Sequence, residues 1–139
     1  MHRLALLPLA ITLLFTATLA LAGPKQHTVE AMPPVVVKTV PQSGDMAVDP
    51  ALDKIEVTFS KTMVTDRMWS FVQVSDDTFP ETAGDPAYKA DSRTIVLPVK
   101  LDPGKPYIVW INSDKYDAFR DVGGNPAVPY LLVFETRPK

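Results

Sequence analysis

Lys54-Ile55-Glu56-Val57-Thr58-Phe59-Ser60 alternates strictly between apolar and polar side chains. Ile55, Val57 and Phe59 share one face while Glu56, Thr58 and Ser60 share the other. A period of two is that of a strand with one buried face. Reading outward, the pattern recurs. In Thr94 to Lys100 the apolar row is Ile95, Leu97 and Val99. Pro98 sits on the opposite parity and has no N–H to give a ladder, so this strand is expected at an edge or at a bulge. In Pro106 to Asn112, Tyr107, Val109 and Ile111 form one row, and Ile108, Trp110 and Asn112 the other. In Tyr130 to Thr136, Leu132 and Phe134 take the core row. Val35 to Val40 and Trp69 to Val74 are two further β-branched or aromatic runs, and a weaker seventh lies around Tyr88.

The connections carry turn chemistry. Pro41-Gln42-Ser43-Gly44-Asp45 leads into Asp49-Pro50. Leu101-Asp102-Pro103-Gly104-Lys105 and Asp121-Val122-Gly123-Gly124-Asn125-Pro126 set proline and glycine where a tight turn wants them. Met63 to Met68 has the length of a single helical turn, but no segment sustains a helical period. The 14 prolines also oppose helices. Short strands at regular spacing predict an all-β sandwich or barrel of about seven antiparallel strands.

The first 22 residues stand apart from that pattern. Arg3 supplies a positive flank, Leu4 to Leu19 form an apolar run, and Ala20-Leu21-Ala22 sets small residues where a signal peptidase reads. The run is near the lower limit for spanning a membrane. The small residues and short basic flank instead favour a cleaved signal peptide over 1–22. Residues 23–33 lack periodicity and read as a flexible tail, which leaves 34–137 as the domain. Of 14 Lys plus Arg against 16 Asp plus Glu, only Arg3 falls in the leader, so the remainder carries about −3, evenly spread. No basic stripe is present to meet nucleic-acid phosphates. With no cysteine, disulfides, thiol nucleophiles and thiolate metal sites are excluded, and the apolar core must hold the domain alone.

Several segments together resemble the SbsA-type bacterial Ig-like domain. They are Thr39-Val40-Pro41-Gln42-Ser43-Gly44, Val48-Asp49-Pro50, and Thr58-Phe59-Ser60 with Met63. In the second half they are Leu101, Pro103, Gly104 and Tyr107, then Asp121, Gly124 and Asn125, and Phe134 with Thr136. The resemblance covers roughly residues 34 to 137. It implies an Ig-like sandwich of the kind found in exported bacterial proteins, often surface-layer proteins, with no general catalytic activity. Gly44, Gly104 and Gly124 suit turn conformations costly for other residues. Phe59, Tyr107 and Phe134 are expected in the core.

Nucleophilic catalysis needs a nucleophile, a base and an orienter. Beyond the leader the sequence has one histidine, His27, in the tail, and no G-x-S-x-G. No enzyme and no cofactor are therefore expected. The acids Asp76-Asp77 and Asp114, Asp117 and Asp121 sit among turn residues and fit turn caps. The functional alternative is calcium in the Asp114–Asn125 loop, but the loop lacks the D-x-D-x-D-G pattern. Copper would want histidine or methionine clusters. Cleavage after Ala22 leaves His27 fifth in the chain, and Met32, Met46, Met63 and Met68 are scattered, so no metal ligand is assigned. The residues singled out for binding are Trp69, Trp110 and Asn112. Exposed tryptophans would make a stacking platform for a sugar or a patch for a protein, whereas an Ig-like core often buries one.

These readings describe an exported, non-enzymatic binding or interaction module of the cell envelope, periplasmic or extracellular. Its partner would be an envelope polysaccharide or protein, with no nucleic acid. Membrane contact would come only through the leader. The alternatives are a passive structural or assembly subunit that pairs through an edge strand, and a small periplasmic copper-binding protein.

Overall fold

The computed structural model describes residues 23, 24 and 26–139; the signal peptide expected over 1–22 lies outside them. Among the described residues eight strands follow one another: β1 Val36–Val40, β2 Lys54–Phe59, β3 Phe71–Gln73, β4 Glu81–Thr82, β5 Ala87–Tyr88, β6 Thr94–Lys100, β7 Pro106–Ile111 and β8 Tyr130–Glu135. The expected count was about seven, and the addition is the two-residue β4. All described pairings are antiparallel and make two sheets. One has the order β1-β2-β6, with β4 and β5 both on the far side of β6, and the other is β3-β7-β8.

The registers explain why the alternating rows fall inward. Ile55 lies opposite Leu97 and Val57 opposite Ile95 in one sheet. Tyr107 lies opposite Phe134 and Val109 opposite Leu132 in the other. Each residue of these rows is buried, and burial of one such side chain contributes about 1.5–3 kcal/mol. Tyr107 and Phe134 stack with ring centroids 5.3 Å apart. Phe119 enters the core from the long loop between β7 and β8. Phe59 meets it at 5.1 Å and Phe71 at 5.1 Å, edge to face.

Two local expectations are corrected. The segment Met63 to Met68 forms no helical turn. Met63 N donates to Ser92 O and Val64 N to Arg120 O, so the segment is stretched between two other parts of the chain. Pro98 does not put β6 at an edge, because β6 has neighbours on both sides. Its missing N–H instead divides the outer side. Pro98 O accepts from Ala83 N at 2.9 Å, and in an antiparallel strand N–H and C=O of one residue point the same way. Pro98 therefore faces the short strands and cannot carry a full ladder there. β5 pairs at Ile95 and Val96, β4 pairs at Val99 and Lys100, and the chain bows out between them.

The outer edge of β8 is closed by the loop after β1. Gly44 N donates to Val133 O, Glu135 N to Asp45 O, Val48 N to Glu135 O and Arg137 N to Val48 O. Ser43 Oγ accepts from Val133 N at 3.1 Å. Gly44 reaches this position at φ +90°, a conformation costly for any residue with a Cβ.

Candidate binding site

β7 presents two opposite rows, and its outward row is Ile108 and Trp110. The registers set Val72 of β3 and Leu131 of β8 directly across from Trp110. Val133 lies across from Ile108, and Val74, just past β3, continues the row of Val72. The outer face of the three-stranded sheet thus carries six contiguous apolar side chains, with the Glu135 carboxylate at the far end of β8. Val74 is 54% exposed, Leu131 38% and Val133 37%; Trp110 is half-buried among these neighbours. A sheet with one solvated face ordinarily shows polar residues there. Charges appear only at the rim. Glu135 follows Val133 at one end of β8, and at the other end Trp110 borders a hollow of about 310 Å³ with Ser113, Asp114, Lys115 and Pro129.

Asn112 does not stay on this face. Alternation holds only while the backbone is extended, and Asn112 has φ +58°. That turn ends β7 and sends the side chain inward, where it is fully buried. Its Nδ2 donates to Phe119 O and Ala127 O, and its Oδ1 accepts from Phe119 N, each at 3.0 Å. The amide holds the β7–β8 loop and leaves nothing to offer a ligand beside Trp110.

Trp69 also parts from Trp110. Phe71 faces inward against Phe119, and Trp69, two residues earlier, takes the same side. The two tryptophans therefore stand on opposite sides of the β3-β7-β8 sheet and make no joint platform. Trp69 lines a cleft of about 240 Å³ with Phe71, Phe79, Thr82, Asp85 and Leu97 among its walls. This cleft opens where β3 and the pair β4 and β5 fail to join the two sheets.

The Asp114–Asn125 loop is organised around Asp121, which is fully buried. Its carboxylate accepts from Asn125 N at 2.8 Å and from Asn125 Nδ2, and it pairs with the Lys61 ammonium. Burial pushes the Asp121 carboxyl up, but the bonds from Lys61 and Asn125 outweigh it, so the group titrates below its ordinary 3.8. Lys61 Nζ also donates to Glu30 O and Met32 O, both at 2.8 Å. Thr28 to Met32, within the expected tail, accordingly forms a turn fastened to the domain. Lys61 went unnoticed in the sequence, where nothing marks one lysine as a clamp. Asp117 pairs instead with Arg120 at 2.7 Å, and Asp114 stays exposed at the hollow beside Trp110. His27, Met32 and Met46 are exposed, while Met63 fills the core. Among the described residues, no three His, Cys, Asp or Glu side chains converge as a metal site would require.

No curated protein matches the chain by sequence. Among solved structures, the chain is similar to part of the crystal structure of the S-layer protein rSbsC, at 18% identity and a TM-score of 0.49. That likeness covers 78% of this chain and 14% of the S-layer protein. The family model described as bacterial Ig-like domain matches residues 30–136, the span that holds both sheets, the Asp121 loop and the Lys61 clamp. The chain belongs to the bacterial Ig-like domain family.

Proposed function

We propose that the protein is an exported, non-enzymatic interaction module of the cell envelope that engages a protein partner through the outer face centred on Trp110. The observation that carries this reading is the row Val72, Trp110 and Leu131, with Ile108 and Val133 beside it, left open to solvent. Contiguous apolar surface of this kind, rimmed by polar groups, marks interaction sites. The face is a sheet surface rather than a cavity, which suits a protein better than a small molecule. A half-buried tryptophan at its middle is the residue type that dominates such contacts. Export is supported by the leader read over 1–22, and an envelope location by membership of the bacterial Ig-like family.

Assembly through an edge strand has less to rest on. The β8 edge is occupied by Ser43 to Val48. The outer side of β6 holds only two-residue strands. β1 carries a bulge between Val36 and Lys38, and bulges and edge lysines are ordinary guards against pairing.

The test is co-sedimentation of the purified protein with envelope preparations of its own host, before and after protease treatment. Trp110→Ser is expected to lose at least about tenfold in binding while keeping a cooperative melting transition that shows it folded. Undiminished binding of that variant sinks the assignment of the face. Binding that survives protease treatment points to a glycan instead of a protein.

A further inference from the structure

The cleft at Trp69 has a composition unlike the outer face. Trp69, Phe71 and Phe79 give it aromatic walls, Leu97 an apolar floor, and Thr82 and Asp85 a polar rim. Pro98 explains why it exists. Because β6 cannot hold a continuous ladder at Pro98, residues 84–86 bow away between β4 and β5 and open a space that reaches down to the buried Leu97. The volume of about 240 Å³ equals the space of roughly eight waters at ~30 Å³ each. That is room for one ring and too little for a drug-sized guest.

We infer that this cleft is a saccharide subsite that takes a single neutral pyranose ring. A pyranose has an apolar C–H face and a rim of hydroxyls, so it needs flat aromatic surface and hydrogen-bonding groups in one small site. Trp69, Phe71 and Phe79 supply the surface. The Asp85 carboxylate accepts from hydroxyls and the Thr82 hydroxyl donates or accepts. A purely apolar guest leaves Asp85 and Thr82 without partners, and a charged anion is repelled by Asp85. The site is independent of the outer face, since it opens on the opposite side of the β3-β7-β8 sheet.

Trp110→Phe leaves Trp69 as the one tryptophan of the chain beyond doubt of origin, because the sequence has two. Titrating this variant with glucose, N-acetylglucosamine and the β-1,4-linked N-acetylglucosamine trisaccharide reads the cleft through Trp69 emission. The expected result is a saturable change for at least one sugar, with a dissociation constant in the millimolar range. Asp85→Asn and Thr82→Val, added singly, are expected to weaken it by about tenfold without shifting the melting temperature. Both alter exposed positions, so folding is not at stake. No saturable change up to tens of millimolar sugar, or a change that neither substitution affects, overturns the assignment. Because Trp110 is already replaced, these outcomes do not depend on the outer face.

Discussion

Asn112 bonds three backbone groups at once, and for two of them, Phe119 N and Ala127 O, it is the partner that the described residues supply. Phe119 N, Phe119 O and Ala127 O lie at the base of a loop closed on itself only by a short bridge between Arg120 and Pro126, and one amide bonds all three. Leaving buried groups of this kind unpaired costs about 1–3 kcal/mol each. Asn112→Ala is expected to lower stability by about 3 kcal/mol or more, measured as a reduced urea midpoint. A change below about 0.5 kcal/mol would mean water replaces the amide. Tyr88 shows the opposite case: its buried hydroxyl has no partner among the described residues, and burial pushes its phenol up from the ordinary 10.0. At this scale the sequence misled about Asn112. Parity with Trp110 predicted a shared face, and only the left-handed turn, which asparagine tolerates better than most residues, sends it inward.

The strands were the most legible level, because their signal is a period and not a contact. The rows of β2, β6, β7 and β8 lie inward as their alternation requires, and the outward row of β8 was equally readable once Leu132 and Phe134 were set in the core. Less legible were β4 and β5, whose two residues each carry no period. The cleft between them follows from Pro98, whose lost N–H was visible but whose neighbours were not. The sequence marks Trp69 by its residue type alone, whereas Phe79 and Asp85 join it only through the fold. The guarded edges also make a prediction at this level. Lys38 is the exposed charge on β1 beside exposed Val37, and Lys38→Ile would turn that edge into an apolar row. Size-exclusion chromatography is expected to show concentration-dependent self-association of Lys38→Ile where the native protein has less. Identical elution would show that the bulge alone protects the edge.

For the whole molecule, three carboxylates govern the response to acid. Glu56 is lowered chiefly by its hydrogen bond from Lys89, and Asp91 by the N–H groups of Arg93 and Thr94 and the Thr94 hydroxyl. Asp121 is lowered by Lys61 and Asn125 in spite of burial. A carboxyl whose folded pKa is depressed binds its proton more readily when unfolded. Its contribution is therefore present above the ordinary pKa and lost as pH falls through the folded value. The ordinary values are 4.5 for Glu56 and 3.8 for the two aspartates, so the melting temperature is expected to decline as pH drops below about 4.5. Asp121→Asn leaves the mostly buried Lys61 ammonium without its counter-charge and is expected to cost about 3 kcal/mol at neutral pH. Its decline with acid is also expected to be shallower than that of the native protein, in thermal melts across the range. Parallel declines would assign the acid response to Glu56 and Asp91 alone.

The Lys61 ammonium has a mechanical consequence. It grips the carbonyls of Glu30 and Met32 on one side and Asp121 on the other, so the chain entering the domain is anchored before the first strand begins. Tension from a tether on that side is transferred first to a charged crosspiece and the β7–β8 loop. The β1–β2 ladder carries load only after this fastening has given way. The clamp acts as a strain relief, as where a cable enters its housing, and the sandwich can be tugged from its entry point without its sheets being the first thing to open.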